Sequence, residues 1–353
     1  MTTTQGAGAT RDAGATLAHA AYAAGLAPSV HNTQPWRWRV HPDRLDLFAD
    51  RSRQLGVADP SGRLLVISCG AALHHARVAL AAEGWQAEVR RCPDPDQPDH
   101  LARLGPVGRI GVGAAAVRRF QAAQRRRTDR RPVTETPVSR DVLERIRTAV
   151  EAERAHLHIL PDEQVADLAV AAARAGTLES ADEALRAELR FWVGGPRPAG
   201  TGVPDTVIPV HPPVAEVPVR DFGSPGALAT EPGADQSGAD QSGAGADRGA
   251  EADRGATYAV IFGEEDTVEG WLRAGEALSA AWLTATEHGV AVLPFSAPME
   301  VPATRTILRR ILAGLGHPYL VLRFGMSDPE HPGPPHTPRL DPTRVVEITG
   351  PDR

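Results

Sequence analysis

Pro28-Ser-Val-His-Asn-Thr-Gln-Pro-Trp36 places Ser29, His31, Asn32, Thr33 and Gln34 between two prolines, directly before a segment that opens on tryptophan. One reading is an ordinary capped turn, for which five polar residues framed by proline are a costly arrangement. A loop stiffened by proline can instead present fixed amide donors and acceptors, the chemistry that reads the edge of a planar heteroaromatic. Outward from the loop, Trp36-Arg-Trp-Arg-Val40 alternates at period two, His41-Pro-Asp43 turns the chain, and Leu45–Ala49 alternates again. That pattern predicts a β-hairpin. Upstream, Asp12–Ala24 reads as a helix closed by Gly25.

Further along, Ser68 is expected to cap a helix reaching Glu83, followed by a strand over Gln86–Arg91. Helices are expected over Ala114–Arg125, Ser139–Ala152, Asp162–Ala175, Ala181–Val193, Thr267–His288 and Pro302–Ala313. Strands are expected over His156–Leu160, Thr257–Phe262, Val290–Leu293, Tyr319–Phe324 and Arg344–Ile348. Without strict βαβ alternation the fold class is α+β. Gly194–Gly226 keeps apolar residues among its prolines and glycines, so it reads as an ordered irregular excursion. Thr230–Gly255 repeats Gly-Ala-Asp-Gln-Ser in tandem and has almost nothing apolar beyond alanine, the signature of a low-complexity insert.

The 353 residues suggest two domains or one large one, and a 42% hydrophobic content supports a real core. No stretch approaches the roughly 18 uninterrupted apolar residues of a membrane span. Met1–Ala9 has no basic flank or apolar run, and Cys69 and Cys92 form no CxxC, so a cytoplasmic setting without a membrane partner is the expectation. All 38 basic residues are arginine. Without lysine there is no Schiff base and no P-loop lysine, and any phosphate must be held by guanidinium, hydroxyl and backbone N–H groups.

Arg125-Arg-Arg-Thr-Asp-Arg-Arg-Pro132 offers five guanidiniums and a hydroxyl, a strong arrangement for a phosphate dianion. A solvated charged turn and a nucleic-acid patch compete with that reading. Nucleic acid is disfavoured by the net charge of −6 and by the lack of interleaved aromatics. Gly111-Val-Gly-Ala-Ala-Ala116 matches a dinucleotide fingerprint, but follows Pro106-Val-Gly-Arg-Ile rather than a convincing buried strand. His74 and His75 are adjacent on a helix and diverge by ~100°, so they cannot chelate one metal from it. Trp271, Leu278 and Trp282 are assigned to core packing.

Taken together, the loop 28–36 and the turn 126–132 resemble the nitroreductase superfamily of flavoproteins, and within it the Acg-like branch of actinobacteria. Ser68-Cys-Gly-Ala-Ala-Leu-His-His75, Val217-Pro-Val-Arg-Asp-Phe222 and Pro318-Tyr-Leu-Val-Leu-Arg-Phe-Gly325 support the likeness. It implies a mostly antiparallel sheet packed by helices and an FMN cofactor. By the resemblance, Arg126, Thr128 and Arg130 hold the FMN phosphate and Arg339 completes that site. Pro28, Ser29, Val30 and Asn32 reach the flavin from what is elsewhere a partner subunit. Pro294, Phe295, Ser296 and Ala297 lie along the ring, with a backbone N–H near N5.

The loop occurs only in the first half and the arginine turn only in the second. The chain therefore resembles two fused nitroreductase-like halves, 1–118 and 119–353, an internal pseudo-dimer that makes a functional monomer possible. The second half would carry a lid over 194–226 and the low-complexity insert over 230–255. The implied activity is hydride transfer from NAD(P)H to flavin N5 and onward to a small-molecule acceptor such as a nitroaromatic or quinone, with no catalytic side chain. The alternative is a protein that sequesters FMN beneath a closed lid with little turnover.

Overall fold

The computed structural model describes residues 4–194, 197–210, 215–222, 253–328, 330 and 333–349. The expected insert lies outside the described residues up to 252, as do 195–196, 211–214 and 223–226 of the expected lid. In chain order the elements are α1 (Thr4–Ala24), β1 (Trp36–Val40), β2 (Leu45–Ala49), α2 (Arg63–Ala82), β3 (Trp85–Arg91), β4 (His100–Arg109) and α3 (Ala114–Arg125). They continue with α4 (Arg140–Glu151), β5 (His156–Ile159), α5 (Asp162–Ala181), α6 (Glu183–Trp192), β6 (Thr257–Gly263) and α7 (Val268–Glu287). The last are β7 (Val290–Phe295), α8 (Ala297–Glu300), α9 (Pro302–Ile311), β8 (His317–Met326) and β9 (Val346–Ile348).

Two separate sheets form, in the order β3-β4-β2-β1-β9 and β5-β6-β8-β7. All pairings are antiparallel except that of β1 with β9. The alternation of β1 is realised side by side: Trp36, Trp38 and Val40 are buried, while Arg37 and Arg39 are exposed. β9 returns from the far end of the chain to pair with Trp38–Val40, carrying the preceding residues, Arg339 included, back across the first half. β8 is buried from Pro318 to Gly325 because strands flank it on both sides and helices cover it. The fold class is α+β.

α2 and α7 cross at the centre, and glycine decides how closely. A methyl on Gly70 would collide with the Leu272 carbonyl and lie 3.0 Å from Gly275 Cα; one on Gly275 would collide with the Ile67 carbonyl and lie 2.8 Å from Gly70 Cα. The contact is reciprocal, each glycine meeting the carbonyl three residues before the other. One constant offset relates Arg63 to Val268, Ala82 to Glu287 and Trp85 to Val290, so α2–β3 and α7–β7 run in register. Close approach lets each helix serve the other's core. Leu64 and Ile67 pack with the second sheet's cluster, and Leu272 packs with the first's. Polar groups reinforce the crossing: Ser279 Oγ lies 2.8 Å from His74 Nδ1 and 3.0 Å from His75 Nδ1. The fully buried Glu276 accepts from Arg77 at 2.7 Å and from Arg91 at 2.7 and 3.0 Å. α2 is long and apolar enough to cross a membrane by composition, but it is almost wholly buried in this core.

Two expectations are corrected. Ser68 does not cap α2, which begins at Arg63. The Asp59 carboxylate accepts the Leu65 N–H at 2.9 Å and supplies the cap upstream, leaving Ser68 inside the helix. The segment before Gly111 is a true strand, β4, which the sequence reading missed. It runs antiparallel to β3, and Gly111 and Gly113 lie in open space, so no crossover unit surrounds the glycines.

Gly70→Ala and Gly275→Ala are each expected to lower the free energy of unfolding by about 2–3 kcal/mol, because the helices must separate. Gly176→Ala in α5 meets nothing within 4 Å and is expected to be neutral or stabilising by up to about 1 kcal/mol. Urea denaturation of the three variants checks this, and equal effects would contradict the close-approach account.

Candidate functional site

A cavity of about 490 Å³, within the range of small-molecule sites, is lined by residues from the stretches 28–68 and 128–320. The first half contributes Pro28, Ser29, Val30 and His31, together with Leu64, Ile67 and Ser68 of α2. The second half contributes Thr128 and Arg130, Leu278 and Trp282 of α7, and Leu293, Pro294, Phe295, Ser296 and Ala297 at the end of β7. α5, α6 and the strip Pro218–Phe222 complete the wall. Nine of the twelve site residues expected from sequence therefore line one cavity; Asn32, Arg126 and Arg339 lie outside its lining.

The loop holds its shape through short internal bonds. Ser29 Oγ accepts the Gln34 N–H at 2.9 Å, and Ser68 Oγ accepts the Val30 N–H at 3.1 Å. His31, Asn32 and Gln34 take positive φ values of 43°, 56° and 51°, a region that non-glycine residues enter at a cost. These turns send the amides away from the cavity. Asn32 Nδ2 donates to Gly202 O at 3.0 Å and Pro338 O at 2.9 Å. Gln34 Nε2 donates to Gly200 O at 2.8 Å, and Gln34 Oε1 accepts the Leu340 N–H at 3.0 Å. The amides thus fasten the excursion and the C-terminal arm to the loop instead of facing into the cavity.

The arginine turn separates charges that look alike in sequence. Arg125 is exposed, Arg127 donates to His336 and Gly333 O on the outside, and Arg131 pairs with Asp129 at 2.7 Å. Arg126 and Arg130 turn inward. The Arg126 guanidinium lies 4.6 Å from the Trp282 ring centroid, and Arg130 lies 5.4 Å from that of Phe222. Arg126 and Arg339 both donate to Leu26 O at 3.2 Å, and Arg339 also reaches Asn32 Oδ1 at 3.2 Å. Neither has a carboxylate partner among the described residues, and the Nε of each is buried without a hydrogen bond. Burial, and then the positive charge of Arg339, holds Arg126 down to about 9; burial alone brings Arg339 to about 10. Two desolvated cations side by side form a site for an anion.

Arg323, on the buried β8, fixes this turn. It donates to the carbonyls of Asp129 at 3.3 Å and Arg131 at 2.6 Å, and pairs with Asp253 at 2.6 Å. The turn also touches β7, where the Asp129 N–H reaches Val292 O at 3.4 Å.

Sequence reasoning missed a second charged cluster in the cavity wall. Arg220 donates to Glu179 and Glu300 and, at 3.0 Å, to His31 Nε2. Arg220 lay within the Val217–Phe222 stretch already singled out; Glu179 and Glu300 sit on α5 and α8 with no local motif to mark them. Glu188 of α6 accepts the N–H groups of Val57 at 3.1 Å and Ala58 at 2.8 Å, holding that helix against the first half.

No family model matches the chain. It is 38% identical over 322 residues to "Putative NAD(P)H nitroreductase Rv3131" of Mycobacterium tuberculosis, spanning 91% of this chain and 88% of that protein. It is 32% identical over 329 residues to "Putative NAD(P)H nitroreductase acg" of the same organism, spanning 92% and 93%. Among solved structures, the FMN-dependent nitroreductase NfnB from Mycobacterium smegmatis, in complex with NADPH, overlaps 65% of this chain and 99% of its own. The identity is 15% and the TM-score 0.37, too loose an overlap to carry residue correspondences.

Arg323→Met would leave Asp253 buried without its cation and free the turn. A loss of about 3–5 kcal/mol in unfolding free energy is expected by urea titration; a loss below about 1 kcal/mol would show that the pair does not hold the turn.

Proposed function

The chain belongs to the Acg-like nitroreductases, and from that premise we propose that it is an FMN-dependent oxidoreductase using NAD(P)H and a small electron acceptor. The observation that carries this reading is the guanidinium pair of buried Arg126 and half-buried Arg339, neither with a carboxylate partner among the described residues and each with a buried, unbonded Nε. Their orphaned Nε groups and mutual repulsion fit a dianionic phosphate, which would supply both the missing acceptors and the missing charge.

Arg126 and Arg339 would hold that phosphate, with Thr128 and Arg130 at the cavity edge. Pro28, Ser29 and Val30 on one side, and Pro294, Phe295, Ser296 and Ala297 on the other, would enclose the ring system. Asn32 acts from behind, its Oδ1 orienting Arg339. When bound, FMN supplies two-electron chemistry between NAD(P)H and an acceptor such as a nitroaromatic or quinone. The chain's own contribution is placement and enclosure. Leu64, Ile67, Leu278 and Phe295 line the cavity with hydrocarbon and exclude water.

The reciprocal α2–α7 crossing supports reading the chain as two fused halves that build one site between them. The strip 218–222 with α6 would serve as the lid. A second reading, sequestration of FMN with little turnover, is favoured by the clamping of Arg220 between Glu179 and Glu300, which holds that strip down.

Anaerobic visible spectra of the protein with FMN, before and after NADPH or NADH, separate these readings. Flavin bands that bleach, and return on adding a quinone, are the expected result; bands that stay unbleached would favour sequestration. The Arg126→Ala, Arg339→Ala double variant is expected to bind FMN at least about tenfold more weakly, from the loss of charge-assisted bonds. Wild-type occupancy in that variant would contradict the phosphate assignment.

A further inference from the structure

The His31–Arg220 contact determines where a proton sits. Arg220 is almost wholly buried and gripped by two carboxylates. Its Nε lies 3.1 Å from Glu179 Oε2, and its Nη2 lies 2.5 Å from Glu300 Oε2 and bonds Glu179 Oε1 as well. Although burial opposes it, the charges of Glu300 and Glu179 keep this guanidinium more firmly protonated than usual. Its Nη1 lies 3.0 Å from His31 Nε2. A guanidinium has donors only, so Nε2 must offer its lone pair and the ring proton must reside on Nδ1.

Nδ1 has no hydrogen-bond partner among the described residues, and the ring lines the cavity in a T-shaped contact with Phe222. Neighbouring hydroxyls are already engaged, while Glu300 Oε1 is buried and makes no hydrogen bond among the described residues. Ser29 accepts from Gln34, Ser68 bonds Val30 and Leu64, and the Ser296 hydroxyl lies 3.5 Å from Arg220. The positive φ of His31 turns its ring toward the cavity while Asn32 and Gln34 reach backwards. The charged groups around the ring are Arg220 and Arg130, which oppose its protonation, and Glu300, which favours it. Burial dominates, then Arg220, and holds the imidazole down to about 4. The ring therefore remains neutral through the physiological range. A neutral single donor suits an uncharged conjugated oxygen better than a carboxylate, which an imidazolium would favour.

We propose that His31, its tautomer fixed by Arg220, donates Nδ1–H to a conjugated oxygen of the electron acceptor, a nitro or quinone-type carbonyl oxygen held in the cavity. This rests on the redox reading above and adds to it a residue that selects the acceptor; Arg220 is the positioning residue behind it.

The test uses the full chain with FMN and ¹⁵N-labelled histidine, the His31 signals being assigned by their loss in His31→Gln. A protonated Nδ1 and an unprotonated Nε2, unchanged between pH 5 and 8, are expected. Arg220→Met should release the lock, mixing the tautomers and raising the titration towards the usual value near 6.5. In the oxidised protein, His31→Phe should weaken binding of 1,4-naphthoquinone about fivefold to tenfold, leave FMN affinity unchanged, and be partly rescued in His31→Gln. A proton on Nε2, a normal titration in the wild type, or equal naphthoquinone affinity in His31→Phe would overturn the proposal. Weaker FMN with unchanged naphthoquinone binding would also overturn it, by assigning the donor to the flavin. Wild-type protein that shows the Nδ1–H tautomer but binds no flavin would instead contradict the redox reading.

Discussion

The closeness of α2 and α7 at Gly70 and Gly275 sets the positions of everything that meets at the cavity. With a side chain at either glycine the helix backbones would have to part, and Leu64, Ile67 and Leu272 would leave the opposite cores they fill. Ser68 and Trp282 lie on these same helices and face the same cavity. The spacing that joins the two cores therefore also sets the distance from the Pro28–His31 loop to the end of β7. Core packing and site geometry are fixed by one contact, because close-packed interiors transmit displacement with little loss.

Around that contact the chain distributes charge unevenly. Just outside the cavity lining, Arg126 and Arg339 have no carboxylate partner among the described residues; in the cavity wall, Arg220 is saturated by Glu179 and Glu300. Buried charges destabilise unless they are matched, so the first arrangement calls for an anionic ligand and the second is complete in itself. The first group is suited to recognition. The second is suited to holding the strip 218–222 and the His31 ring in a fixed relation.

Much of the fold was readable because its signals are local. The alternation of Trp36–Val40 and Leu45–Ala49 fixed a hairpin, and long amphipathic runs fixed the helices. β4 escapes detection because Gly105 and Pro106 interrupt its pattern, and the start of α2 is hidden because its cap comes from Asp59, outside the helix. At the site, the loop and the arginine turn were legible as dense polar motifs, but not which arginine faces inward. That depends on Arg323, some 190 residues later in the chain. The roles of Asn32 and Gln34 were likewise hidden, since their partners at 200–202 and 338–340 come together only in the folded chain. Glu179 and Glu300 acquire meaning only beside Arg220.

On the proposed function, a single chain holds one flavin between its early loop and its arginine turn. Sedimentation velocity with FMN, recorded at the protein band and at the visible flavin band, tests it directly. Flavin travelling with the single-chain species, at one per chain, is the expected result. Flavin found only with a two-chain species, or at half a flavin per chain, would contradict it.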